Sequence, residues 1–138
     1  MQYNEFIHEG KQLLGLEKEA DVMTIARAFL HTLTEHMAGN AADNLAAQLP
    51  EPVAALIREI DPEDRDQGQR FSLAEFYQRM AHKAHLDDAT ARRYTHDFMR
   101  LLGGAITEGE VEKLKKILPA DYEPLFHGVS GVPNAPVR

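Results

Sequence analysis

The chain has 138 residues, 43% hydrophobic and 27% charged, with no cysteine and a formal net charge of −7. That is the size of one domain that can bury about two-thirds of its unfolded surface, too apolar for a disordered chain. Without cysteine there are no disulfides and no thiolate chemistry; no apolar run approaches the ~18 residues of a membrane span, and the acidic balance argues against a phosphate-binding surface over the whole protein.

The opening residues carry Glu5 and Glu9 in place of the basic-then-apolar pattern of a secretion signal, so the cytoplasm is the expected compartment. Apolar residues then recur at helical spacing nearly throughout. A first helix is expected over 3–14, with Phe6, Ile7, Gly10, Leu13 and Leu14 inward. A second runs over 19–37, with Val22, Ile25, Phe29, Leu33 and Met37 on one face. A third covers 41–49 and stops at Pro50, which lacks an N–H and disfavours helix in the residue before it. A fourth covers 52–60 and buries Val53, Leu56, Ile57 and Ile60. Residues 61–70 are polar, with Pro62 and Gly68 and no apolar period, which predicts an exposed linker.

The pattern then begins again. Glu75, Phe76 and Leu86 match Glu5, Phe6 and Leu16 at an offset of 70. One residue fewer in the first turn brings Phe98, Leu102, Leu114, Leu118 and Pro119 onto Phe29, Leu33, Leu45, Leu49 and Pro50 at an offset of 69. Chance sliding of amphipathic helices does not hold four helices and a Leu-Pro stop in register. The expectation is an all-α fold of two tandem four-helix units, residues 1–60 and 71–127, packed as one pseudo-symmetric domain, followed by a flexible tail over 128–138. Ser72/Glu75 and Thr107/Glu110 have capping-box spacing, Asp87 can cap the helix after it, and Asn40 is the cap expected for the first unit's third helix. No stretch alternates with period two, so no sheet is expected.

The Tyr-x-Glu-Phe type start, the Phe29 to Leu33 helix, Leu45 to Pro50, and their recurrence through Phe76, Phe98, Thr107-Glu-Gly-Glu110 and Leu118-Pro119 resemble the bacterial domain-of-unknown-function family 2267. The resemblance covers about residues 1–127. It implies an all-helical tandem repeat, with no catalytic residues to carry over. The first unit departs from it at Ala38-Gly-Asn-Ala41, where the Ser/Thr and Glu of a capping box are missing.

Seven histidines raise the question of metal and catalysis. His82 and His85 with Asp88 form a turn with two imidazoles and a carboxylate, a three-ligand zinc candidate. Against it, zinc ligands normally come from separate elements, and His85 matches Gly15 at an exposed helix end. His96-Asp97 is the dipeptide of an all-α class of metal-dependent hydrolases, the alternative function. That chemistry needs a further histidine and aspartate; His31, His36 and Asp121 are the available residues, and the repeat already accounts for this helix. Ser72 looks like a cap and Ser130 lies in the tail, so no serine nucleophile is expected, and no cofactor.

The remaining polar feature is on the second unit's long helix, where Arg93, His96 and Arg100 align away from the apolar face, with Lys113, Lys115 and Lys116 on the next helix. Residues 1–68 hold 5 Lys+Arg against 13 Asp+Glu, and residues 69–138 hold 10 against 9. The stripe is either a solvated face or a docking surface for an acidic protein partner, another copy's first half included. Nucleic acid fits less well, because exposed aromatics for stacking are missing and the first half repels phosphate. The sequence therefore points to a small helical protein-interaction or regulatory module, non-catalytic, with no nucleic-acid or membrane partner.

Overall fold

The computed structural model describes residues 1–65 and 67–134. Its elements in order are α1 (Tyr3–Leu14), α2 (Glu19–Thr34), α3 (Ala41–Ala46), α4 (Glu51–Arg58), a single turn α5 (Pro62–Arg65), α6 (Leu73–Ala84), α7 (Asp88–Gly103), α8 (Glu108–Ile117) and a 3-10 helix η1 (Ala120–Phe126). Among the described residues there is no strand, only one isolated bridge between Thr107 and Val132. No helix among them is long and apolar enough to cross a membrane.

Helix ends follow the local chemistry with some corrections. α1 and α6 both close on a left-handed residue, Gly15 at φ 67° and His85 at φ 54°. The next amide then bonds back five residues, from Leu16 to the Lys11 carbonyl and from Leu86 to the Ala81 carbonyl, at 2.9 Å each. α2 stops at Thr34, short of 37, and α3 stops at Ala46, short of 49. In both places the last turn tightens into three-residue hydrogen bonds, such as Leu49 N–H to the Ala46 carbonyl, which brings the chain round to Pro50. α4 likewise ends at Arg58, and Ile60 is only half-buried. Leu13, placed inward from the sequence, is 36% exposed. Asn40 makes no capping hydrogen bond.

Both predicted capping boxes hold on one side only. Ser72 Oγ accepts from the Glu75 amide at 3.1 Å and Thr107 Oγ1 from the Glu110 amide at 3.2 Å. The return bond is absent because each glutamate is occupied elsewhere: Glu75 with Arg79, and Glu110 buried beside Gln48, whose amide oxygen takes the Thr107 N–H at 2.9 Å. Asp121, available for hydrolase chemistry by sequence, instead caps across the fold: its carboxylate accepts the Leu73 amide at the start of α6, at 2.9 Å.

The halves interlock. α1 packs on α7 and α6 on α2, besides the contacts α1–α2 and α6–α7 within each half. Phe6 therefore meets Phe98 edge-on at 6.1 Å, Phe76 meets Phe29 edge-on at 5.3 Å, and Phe29 lies against Phe98 at 4.6 Å. The repeat register exchanges the first two pairs and maps the third onto itself, an arrangement compatible with pseudo-symmetric packing. All four rings are fully buried.

The connecting segments differ from expectation. The 61–70 stretch is not simply exposed: Arg65 is buried and bonds Asp43 at 3.0 Å, and the Gly68 and Gln69 amides donate to the carbonyls of Met37 and Glu35. Residues 128–134, expected to be a loose tail, are docked: Val129 is buried and Val132 N–H donates to the Ile106 carbonyl at 2.8 Å. The cause is the same in both halves. Met37 and Ile106, matched residues just past the end of each long helix, are buried, where an unpaired carbonyl is costly, and the segment after the fourth helix supplies the donor in both halves. Residues 135–138 of the predicted tail lie outside the described residues.

Candidate functional site

The matched polar positions on the two long helices meet different fates. In the first half, Arg27 Nε bonds Glu59 at 2.7 Å, and His31 Nε2 lies 2.9 Å from both Glu59 and the Leu56 carbonyl. Glu59, whose pKa the Arg27 hydrogen bond lowers, pairs with both side chains. The repeat places Gly128 where Glu59 stands, so the counterparts His96 and Arg100 receive no carboxylate from the fourth helix.

Around His96 the charge is accordingly positive. Its Nε2 lies 2.6 Å from the Tyr77 hydroxyl on α6, and the Arg92 guanidinium sits over the Tyr77 ring at 5.7 Å. Burial lowers the His96 pKa, and Arg92 and Arg100 push the same way. Burial raises the Asp97 pKa against the pull of Arg100 and Arg93. Arg100 is 3.9 Å from Asp97 and mostly exposed; Arg92 and Arg93 are exposed and form no salt bridge among the described residues. Arg92, His96 and Arg100 thus stand at i, i+4 and i+8, one line along α7.

Of the predicted stripe, Arg100 acts on the His96 charge, while Lys113 and Lys116 line a cleft of about 310 Å³ with Asn40 and Asn44 at the start of α3. Lys113 there approaches the buried Glu110 at 4.0 Å. Arg92 and Tyr77 are additions the sequence reading missed. Arg92 was legible as the four-residue neighbour of His96; Tyr77 was not, because its counterpart Ile7 is an ordinary core position.

Of the metal candidates, His82 and His85 line a groove of about 490 Å³ with Arg27, His31 and Lys83, while Asp88 opens α7. Among the described residues no three His, Asp or Glu side chains come together as a metal site. His36, one of the histidines considered for a hydrolase, is buried in the core, stacked on Phe71 at 3.8 Å and bonded to Tyr122 at 2.6 Å.

A model of the family described as Uncharacterized conserved protein (DUF2267) matches residues 3–125. The chain belongs to that family. The match spans α1 to all but the end of η1, so membership in DUF2267 and the helical fold describe the same residues. A search of curated proteins returned no match. The family description names no activity, and the function of this DUF2267 chain has to be argued from its surface.

Proposed function

We propose that the protein is a non-catalytic helical interaction module that docks an acidic protein partner, a second copy's acidic first half included, on the Arg92–His96–Arg100 line of α7. The observation that carries this is the contrast between the halves: Glu59 satisfies Arg27 and His31, whereas Gly128 leaves His96 and Arg100 without that carboxylate. Tyr77 and the cation over its ring give the line a semi-rigid centre, which lowers the ordering cost of binding. The proposed setting is the cytoplasm, with no cofactor.

The test is sedimentation velocity and anisotropy with a labelled Glu/Asp-rich peptide, at low and high salt, for the wild type and an Arg92→Glu/Arg100→Glu variant. Exposed charges are screened beyond about 8–10 Å at physiological ionic strength, so association should weaken with salt and weaken again in the variant. Monomers under every condition would remove self-association. Absence of peptide binding at low salt would reduce the line to a solvated face.

A further inference from the structure

The geometry points to a peptide slot at the α7–α8 junction, filled by this chain's own residues 129–134 and able to take the same segment from a second copy once its own is released. This goes beyond the docking line of α7 and rests on separate residues.

Three features build the slot. Gly103, late in α7, is a notch: a Cβ there would stand 2.7 Å from Val129 Cγ1, so only glycine admits the valine. Next, the backbone passes so close over Thr107 that a Cβ on Gly131 would lie 2.7 Å from the Thr107 carbonyl carbon and oxygen, and Gly131 takes φ +83°, a region that disfavours side chains. Finally, Val132 N–H donates to the Ile106 carbonyl at 2.8 Å and its carbonyl accepts the Glu108 N–H at 2.9 Å, a paired exchange of the kind by which an extended peptide adds to a backbone edge. The occupant is thereby specified as Val-x-Gly-Val, read through one buried side chain, one absent side chain and two main-chain bonds. Val132 itself is 39% exposed, so little apolar surface holds this end down. In the first half the matched carbonyl of Met37 is covered by Gly68, in the connection between the halves.

A tethered segment competes at an effective concentration near the millimolar range, so a free peptide enters only when the resident is weakened. The experiment uses the full chain and a labelled peptide of residues 128–134. Gly131→Val should release the resident, read as loss of hydrogen-exchange protection at Val132 and Glu108 with circular dichroism unchanged. The peptide should then bind the variant at least about tenfold more tightly than the wild type, and adding Gly103→Leu should abolish that binding. A folded, released variant that ignores the peptide overturns the slot, and so does equal binding to wild type and variant. If Gly131→Val does not fold, Val132→Pro removes the donor to Ile106 without touching a buried side chain and takes its place. Failure of both to fold, or to release the segment, would show that it is an inseparable part of the domain and overturn exchange.

Discussion

Two residues carry most of the argument at the smallest scale. Phe98 touches both Phe6 and Phe29 and is fully buried. Its truncation opens a cavity where the halves meet, and Phe98→Ala should cost about 3–5 kcal/mol, read by urea denaturation. An unchanged midpoint would contradict the packing. His36 is the other. Tyr122 has one proton, and its hydroxyl lies 3.0 Å from the carbonyls of both Phe71 and Ser72. His36 Nε2 lies 2.6 Å from that hydroxyl, and the buried Nδ1 makes no hydrogen bond among the described residues. Burial pushes the imidazole down to about 4; the Gln69 backbone and Glu35 oppose this, and Arg79 and Arg70 reinforce it. The unfolded chain therefore binds a proton that the folded one refuses between about pH 6.5 and 4. Stability falls as pH drops through that window, by about 3 kcal/mol from this group. An NMR titration in which the His36 ring protonates near 6.5 would refute it.

Individual helices make their own predictions. α6 closes on His85 in the left-handed region, where α1 uses Gly15. A side chain there costs roughly 1 kcal/mol, so His85→Gly should raise the melting temperature by a few degrees. The caps separate by geometry in the same way. Thr107→Ala removes an observed bond and should cost about 0.5–2 kcal/mol, whereas Asn40→Ala removes none and should be near neutral in the same melts. Equal effects of the two would contradict the difference in capping between the starts of α3 and α8.

For the whole molecule the governing fact is that α1 lies on α7 and α6 on α2. Neither half can unfold without baring the aromatic rings of the other, so one cooperative transition is expected, with calorimetric and van't Hoff enthalpies equal. Two separated transitions would show that the halves are independent units after all.

The sequence by itself determined the helices, the family and most of the core, because apolar period, proline stops and Ser/Thr caps are local signals that act over a few residues. Phe6, Phe29, Phe76 and Phe98 were all legible as buried positions. Their partners were not, since pairing between residues 47 to 92 positions apart leaves no trace in spacing. The same limit applies to the polar faces of the long helices. Arg93, His96 and Arg100 could be aligned from helical period alone, but only the fold showed that Glu59 bonds Arg27 and His31 in the first half. It also decided that 128–134 is packed: a stretch with two glycines and no period looks loose in one dimension, and what fixes it, the Gly103 notch and the unsatisfied Ile106 carbonyl, comes into reach only after α7 and α8 have turned against each other.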